Sequence, residues 1–287
     1  MIEFRDIQYD VFDVHTHWSN LVCKILKGPL EMAALPQVLD LVFSNWAAVQ
    51  GRTRNRRERN MEFFRMVLDQ FGIDRAILLP VFGFDVEFNI EIGRHFPGRV
   101  TSFGMVPPRA RDVEHRFERM REAGVKGLKL HANYHKFSPR LHAAELSRLL
   151  GWCSDESMVV LFHSGSHYEI RDLVPLLKPL DDLRVIIGHS GLGNQVDQAV
   201  AAAKTLPNAY LEVSSQPYSY MFERALKDPD IGVERFLFGS DLPGIHPFVE
   251  AMKVLQFPIS EADKRLILAG NAVRLLGIHI EENNQST

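Results

Sequence analysis

The sequence predicts an α/β fold, a (β/α)8 TIM barrel with a helical insertion after strand 1, from two observations. Short apolar runs of strand length recur eight times, and segments with apolar residues at helical spacing lie between them. The length of 287 residues also suits one such barrel, which typically has about 250. We therefore expect a single domain over residues 1–287.

The predicted strands are short and rich in β-branched and aromatic residues. The run at 159–162, Val-Val-Leu-Phe, is continuously apolar, as expected of a parallel strand covered on both faces. A doubly wound open sheet is the alternative fold, but no glycine-rich phosphate loop follows the first strand. In chain order, the predicted strands span residues 11–15, 75–80, 100–106, 127–131, 158–163, 183–188, 209–213 and 236–240.

Helical spacing of apolar residues marks the segments between the strands. The helical insertion is predicted over residues 21–71, with about two helices' worth of sequence. Its basic run from Arg52 to Arg59 has two interpretations: a solvated helix start beside Glu58 and Glu62, or a site for a substrate carboxylate or a partner. Further helices are predicted over residues 113–123, 141–154, 194–204 and 248–255.

The charge balance indicates a small-molecule substrate. The chain has 33 basic and 36 acidic residues and a net charge of −3, so no global field attracts nucleic acid or a membrane surface. Cys23 and Cys153 are too few for a disulfide framework and lie in apolar surroundings, which favours buried thiols and a cytoplasmic location. No segment has the pattern of a signal peptide or membrane anchor. Apolar residues of the insertion have two interpretations, a homodimer interface or a cover for the side of the barrel: Phe43, Trp46, Phe63 and Phe64.

The motif His15-Thr16-His17 at the end of the first strand indicates a metal site. Residues two apart in a strand point to the same side, so the two imidazoles are expected to converge. In an eight-stranded barrel the carboxyl ends of all strands meet at one mouth. The other strand ends contribute further polar residues there, namely Lys129, His131, His163, His189 and Asp241. A single buried histidine is usually structural, but this many at one mouth favour a site.

Six segments together resemble a known family, and they cover nearly the whole chain. In this order they are similar to the amidohydrolase superfamily, and within it to the amidohydrolase-2 branch, which includes the aminocarboxymuconate-semialdehyde decarboxylase-like enzymes. The segments are DVHTH at 13–17, GLKLH at 127–131, FHSG at 162–165, GHSG at 188–191, FGSDLP at 238–243 and GNAVRLLG at 270–277.

The resemblance implies a role for each matching residue. The implied metal ligands are His15, His17, His163 and Asp241, and the implied catalytic residues are His189 and Asp241, with His189 moving protons. Lys129 lies near the position of the carboxylated lysine in binuclear relatives, but its motif matches the branch in which one metal is typical. We therefore expect a mononuclear site.

Four residues near this motif set have open interpretations. Lys129 and His131 are candidates to bind an anionic group of the substrate, and Trp18 either packs at the mouth or stacks on substrate. Asp13 is expected to share its strand side with His15 and either contacts a ligand imidazole or is a buried structural acceptor. Three other histidines are interpreted as ordinary surface residues: His135, His142 and His167.

The ligand set suits one divalent metal, with Zn²⁺ expected and Mn²⁺ or Fe²⁺ as alternatives. Zinc lowers the pKa of bound water from about 15.7 to about 7, which provides hydroxide as a nucleophile. We therefore predict a metal-dependent hydrolase for an ester, lactone or amide of a small carboxylated substrate. The alternative in the same branch is a metal-dependent non-oxidative decarboxylase of an unsaturated or aromatic acid. A catalytically inactive binding protein is a third hypothesis, which the intact ligand set disfavours.

Overall fold

Eight parallel strands are present among the residues that the structure describes. The structure is a computed structural model, and it describes residues 1–18, 56–80, 86–165, 168–216 and 220–278. An antiparallel hairpin, β1 (Ile2–Phe4) and β2 (Ile7–Tyr9), precedes the parallel strands. These are β3 (Phe12–Thr16), β4 (Arg75–Leu78), β5 (Val100–Ser102), β6 (Gly127–Leu130), β7 (Val159–His163), β8 (Val185–Gly188), β9 (Ala209–Glu212) and β10 (Phe236–Leu237). Each coincides with a predicted strand.

Backbone hydrogen bonds close the strands into a barrel. The ladders run β3-β4-β5 and β6-β7-β8-β9-β10, with all of these pairs parallel. Between β5 and β6, the Lys129 amide donates to the Gly104 carbonyl at 2.8 Å. Between β10 and β3, the Val14 amide donates to the Phe238 carbonyl at 3.0 Å. Both junctions are therefore bonded, and the predicted (β/α)8 TIM barrel is confirmed.

Alternate residues of a strand enter two different apolar clusters, which explains the continuously apolar sequence of β7. Val159 and Leu161 pack with Ile186 in the cluster that fills the barrel. Val160 and Phe162 pack in the larger layer between the strands and the surrounding helices. Both faces of the strand are thus covered, and neither face needs polar residues.

Helices follow the strands where helical spacing predicts them. Two of their starts are set by local capping: the His246 side chain accepts from the Phe248 amide, and the Ser260 hydroxyl accepts from the Asp263 amide. The helices are α1 (Arg56–Gln70), α2 (Val86–His95), α3 (Val113–Glu122), α4 (Ala143–Asp155), α5 (Val174–Leu177), α6 (Val196–Thr205), α7 (Tyr220–Leu226), α8 (Pro247–Leu255), α9 (Glu261–Arg265) and α10 (Asn271–Leu276). A π-helical turn, Leu266–Gly270, joins the last two.

Most of the predicted insertion lies outside the described residues, including Cys23, Phe43, Trp46 and the start of the basic run. Its described part is α1, which presents Phe63 and Phe64 to the core. Both rings pack against Trp18, with centroids 5.4 and 5.1 Å away. These two residues therefore cover the barrel rather than form an exposed apolar surface. Among the described residues, no helix is long and apolar enough to cross a bilayer.

The hairpin β1–β2 is an element that the sequence analysis did not predict. Arg5 and Asp6 form its two-residue turn with φ of 50° and 62°, the left-handed conformation that such tight hairpins require. The N-terminal amine contacts the Asp74 carboxylate at 3.0 Å, just before β4. The hairpin therefore covers the amino ends of the barrel strands, opposite the predicted site.

Candidate metal centre

His15 and His17 reach the carboxyl end of the barrel through an irregularity in β3. The register with β4 shifts between Asp13 and Thr16, which marks a β-bulge. Val14 belongs to the apolar cluster inside the barrel, yet the next residue, His15, also points inward. The bulge therefore places two histidines at the mouth without breaking the apolar interior below them. Simple alternation along the strand does not predict this.

Hydrogen bonds assign the tautomers of both imidazoles. His15 Nδ1 lies 2.7 Å from Glu212 Oε2, and His17 Nδ1 lies 2.9 Å from the Leu79 carbonyl oxygen. A carbonyl or carboxylate oxygen can only accept, so both Nδ1 atoms carry the proton. Both Nε2 atoms therefore present lone pairs to the mouth, the form in which histidine binds a metal.

Asp241 completes this arrangement from the segment after β10. Its Oδ1 lies 3.3 Å from His17 Nε2 and 3.6 Å from His15 Nε2. The residue has φ of 60°, an unfavourable backbone for an aspartate, as is common at functional sites.

These residues fit a divalent cation. His15, His17 and Asp241 each offer one ligand atom, and the three atoms lie within 4.8 Å of one another. Two imidazole lone pairs facing a carboxylate repel one another unless a positive charge lies between them. Lys129 Nζ lies 2.9 Å from His15 Nε2, so this lone pair does face a cation. A mixed nitrogen and oxygen set of this kind suits zinc, manganese or iron.

Lys129 projects from β6 into the buried floor of the mouth. Only 2% of the residue is exposed, and this burial lowers the pKa of its amine to about 8, although Asp241 and Glu212 partly oppose the shift. The amine therefore remains mostly protonated at neutral pH. The structure places a buried positive charge beside the predicted ligands, where an anionic group can be bound.

His163 and His131 form a second pair on the β6–β7 side. Their rings are stacked, with centroids 4.0 Å apart, and Tyr134 packs on His131 at 4.2 Å. His163 also meets the ring of His189 edge to face at 4.8 Å. Burial and the charge of Lys129 lower the pKa of His163 well below its usual range, which keeps the ring neutral. Among the described residues, two sets of ligand atoms lie close together: His15 with His17 and Asp241, and His15 with His189 and Glu212. His163 belongs to neither set, so its role as a ligand stays a prediction.

His189 lies between two other imidazoles of the site. Its ring stacks on His15 with centroids 4.4 Å apart, and burial is the main cause that lowers its pKa to about 3. The neutral ring can accept a proton. His189 also has φ of 59° in a short 3₁₀ turn after β8, so its position depends on surrounding bonds.

Glu212 is the residue that the sequence analysis missed. It ends β9, is fully buried, and contacts both His15 and the backbone of His189. The signal was available, because a glutamate after the apolar start of a barrel strand is a polar strand end like the others. Glycines leave space for Glu212 and for its partner His15. A Cβ on Gly239 would lie 2.4 Å from Glu212 Oε1, and a Cβ on Gly188 would lie 3.3 Å from His15 Cε1.

Asp13 and Trp18 contact the protein framework. Asp13 accepts from the His15 backbone amide at 3.0 Å and from the amide and hydroxyl of Ser240, so it braces the backbone beside the ligands. Burial raises the pKa of its carboxyl to about 7. Trp18 is 1% exposed, and its Nε1 donates to Asn60 Oδ1 at 2.8 Å. Both residues therefore have partners within the protein, and their roles toward a metal ligand or substrate stay predictions.

The prediction that His135 is an ordinary surface residue is wrong. The residue is 5% exposed, and its Nδ1 accepts from the His131 amide at 3.3 Å. Its own amide donates to the His131 carbonyl, so it closes a tight loop after β6. His142 is half-buried and caps a turn by accepting from the Ser138 amide. His167 lies outside the described residues.

A comparison with protein families identifies the family of the chain. The family model described as amidohydrolase, Amidohydro_2, matches residues 12–278. The chain belongs to the amidohydrolase family. This family consists of metal-dependent enzymes, in agreement with the resemblance of the six motifs and with the donor set at the mouth. No curated protein sequence matches the chain significantly.

Solved structures of other proteins share this amidohydrolase fold. An uncharacterised TIM-barrel protein from Bordetella bronchiseptica is 16% identical, with a TM-score of 0.72 over 93% of this chain and 98% of its own. A probable 2-pyrone-4,6-dicarboxylic acid hydrolase from Acinetobacter baumannii, with citric acid bound, is 17% identical, with a TM-score of 0.64 over 93% and 99%. A dihydroxybenzoic acid decarboxylase from Polaromonas sp. JS666, with bound manganese and 2-nitroresorcinol, is 16% identical, with a TM-score of 0.64 over 97% and 100%.

Proposed function

We propose that this amidohydrolase is a zinc-dependent hydrolase that cleaves an ester, lactone or amide bond in a small carboxylated compound. The observation that carries the proposal is the convergence of His15 Nε2, His17 Nε2 and Asp241 Oδ1, since both Nδ1 protons are already given to fixed acceptors. Zinc would be held by these atoms together with His163, the implied further ligand of the family.

The ion, when bound, supplies Lewis-acid activation of water and of the scissile carbonyl. His189 accepts the proton that water loses and returns it to the leaving alkoxide or amine. The water oxygen bonds to the carbonyl carbon, and the bond from that carbon to oxygen or nitrogen breaks. Burial keeps the His189 ring neutral, so one of its ring nitrogens carries the lone pair that this transfer needs.

Lys129 supports the carboxylated character of the substrate. Its ammonium is buried at the mouth, and His131 lies two residues further along the same strand end. A buried cation is stabilised by an anion, and a substrate carboxylate would supply one within the enclosed site. The solved neighbour from Acinetobacter baumannii, by its name, acts on a dicarboxylic acid.

Non-oxidative decarboxylation is the second candidate, and the named neighbours favour it. Besides the enzyme from Polaromonas, a 5-carboxyvanillate decarboxylase from Sphingomonas paucimobilis has the same fold, with 13% identity and a TM-score of 0.64 over 95% of this chain and 100% of its own. In that reaction the bond from the ring or alkene carbon to the carboxylate breaks, carbon dioxide leaves, and a proton takes its place. His189 or Asp241 would carry that proton.

Isotope incorporation in labelled water separates the two reactions. We would load chelated protein with Zn²⁺, Mn²⁺ or Fe²⁺, count the bound ions, and offer carboxylated lactones, carboxylated aryl esters and hydroxylated aromatic acids. Hydrolysis places one ¹⁸O atom from H₂¹⁸O in the product acid without release of carbon dioxide. Decarboxylation releases carbon dioxide and, in D₂O, places deuterium on the carbon that carried it.

Two variants serve as controls for this assay. His163→Ala is expected to lose both metal and turnover, whereas His189→Ala is expected to keep the metal and lose turnover. If His189→Ala retains activity, His189 does not move the proton. A wild-type protein that binds no ion after reconstitution would refute metal-dependent catalysis by this chain.

A further inference from the structure

We propose that Glu212, Ser214 and Gln216 form a clamp that holds His189 as its Nδ1–H tautomer and directs its Nε2 lone pair at the reacting atoms. These three residues are called the β9 clamp below. They are positioning residues, since they act through His189. The inference rests on the proposed function only for the proton that His189 moves.

The β9 clamp contacts His189 at three separate points. Glu212 Oε2 accepts from the His189 amide at 2.9 Å. Ser214 Oγ lies 2.9 Å from His189 Nδ1. Gln216 Nε2 donates to the His189 carbonyl oxygen, while its Oε1 accepts from the Gly193 amide at 3.0 Å. His189 is thus hydrogen-bonded through its amide, its ring and its carbonyl. Its three partners are spaced two residues apart in one segment.

The bonds of Ser214 determine where the ring proton lies. The Ser214 hydroxyl donates to Glu212 Oε2 at 3.0 Å, so its single proton is used there. Its oxygen then faces His189 Nδ1 with lone pairs only, and the short contact requires that Nδ1 carries the proton. With Nδ1 protonated and the ring neutral, Nε2 has a free lone pair. This is the tautomer that can take a proton from water.

Glu212 also favours the Nδ1–H tautomer of a second ring, that of His15. Its Oε2 also accepts from His15 Nδ1 at 2.7 Å, and its Oε1 accepts from the Ser214 amide at 2.5 Å. One buried carboxylate therefore receives four donors and assigns the Nε2 lone pairs of both His15 and His189. The two rings stack 4.4 Å apart, so they present these lone pairs side by side.

The clamp also accounts for an unfavourable backbone. His189 and Ser190 have φ of 59° and 41°, in the left-handed region that non-glycine residues rarely adopt. The bonds at the amide and carbonyl of His189 hold it in this conformation. Without them, the ring would not be fixed between His15 and His163.

The test is a nitrogen NMR spectrum of zinc-loaded protein with ¹⁵N-labelled histidine, in which Nδ1–H and Nε2–H tautomers have different shifts. His189→Gln identifies the His189 signals. The expected wild-type state is Nδ1–H. Ser214→Ala should move His189 largely to Nε2–H, and Ser214→Thr, which keeps the hydroxyl, should restore Nδ1–H. Ser190→Ala is the matched control, because its buried hydroxyl donates to the Glu212 carbonyl at 2.8 Å and does not face the ring.

The wild-type spectrum alone can refute the proposal. An Nε2–H signal for His189 overturns it, even if Ser214→Ala does not fold. An unchanged Nδ1–H signal in folded Ser214→Ala overturns it as well. Since no substrate is needed, failure of the clamp is distinguishable from failure of the proposed hydrolysis, which the labelled-water assay decides.

Discussion

The two ends of the barrel use charged residues in opposite ways. At the carboxyl end, Glu212 and Lys129 are buried, and Asp241 combines a charged contact with a left-handed backbone. At the amino end, the N-terminal amine pairs with Asp74 at the surface, with 56% and 32% of the two groups exposed. Surface pairs contribute little energy, whereas buried charges cost stability unless each has partners. The comparison shows that the chain concentrates buried charges at the carboxyl end, where the candidate site lies.

Mutations can test this difference between the two ends of the barrel. Changes at the carboxyl end are expected to alter metal binding and turnover more than stability, since the barrel core lies below the site. Changes at the amino end are expected to alter stability alone.

The largest effect is expected for Asp241→Asn, a change at the carboxyl end. The variant keeps the size of the side chain but removes the negative charge between two imidazoles. Metal affinity should fall by about 100-fold or more, and turnover should fall with it. The melting temperature in the presence of a chelator should change by less than about 4 °C. Calorimetric titration with Zn²⁺ and thermal melts measure the two quantities, and a large loss of stability with intact affinity would contradict the comparison.

Glu250 is expected to make the free energy of unfolding depend on pH. Burial raises the pKa of this carboxyl to about 7, although Lys253 lies 2.7 Å away and opposes the shift. Because the folded pKa lies above the unfolded value, the stabilisation is present at low pH and is lost as pH rises from about 4.5 to about 7. The loss amounts to as much as about 3 kcal/mol.

Urea unfolding at several pH values measures this effect. Relative to Glu250→Gln, which cannot titrate, the wild type should lose unfolding free energy over that pH range. A difference between the two proteins that does not vary with pH would show that the pKa of Glu250 is the same in the folded and unfolded states, which would contradict the shift.

At the amino end, Gly72→Ala should destabilise the protein by about 2 kcal/mol. Gly72 has φ of 64°, and a Cβ there would lie 2.3 Å from the Met1 carbonyl oxygen. The hairpin end must shift to make room, while the mouth on the opposite face is not touched. Chemical denaturation should show the loss, and metal content and turnover should equal those of the wild type. Reduced metal content in this variant would mean that the two ends are coupled.

The smallest effect is expected for Tyr9→Phe. The Tyr9 hydroxyl donates to Glu261, and the guanidinium of Arg265 lies 4.9 Å from the ring centroid. The variant removes the hydrogen bond and keeps the ring, so the loss should be about 1 kcal/mol with unchanged activity. Glu261→Gln is a matched control, since it keeps an acceptor for the hydroxyl and should lose less.

Several features of the site were predictable because they depend on local pattern. Apolar runs such as 159–162 and the helical spacing between runs predict the barrel, and barrel geometry then places His15, His163 and His189 at one mouth. Other features depend on contacts far apart in sequence. Glu212 contacts His15 although 197 positions separate them, and no local sequence pattern near either residue predicts that contact.

The sequence by itself determined the fold class, the strand positions and the residues gathered at the carboxyl end, since these follow from periodicity and from the parallel direction of the strands. Only the tertiary structure decided which nitrogen of each imidazole faces the mouth. Tautomer and orientation depend on single acceptors brought within 3 Å by different strands, such as Glu212 for His15 and Ser214 for His189. The bulge that turns His15 inward also depends on pairing with β4, and alternation within one strand cannot reveal it.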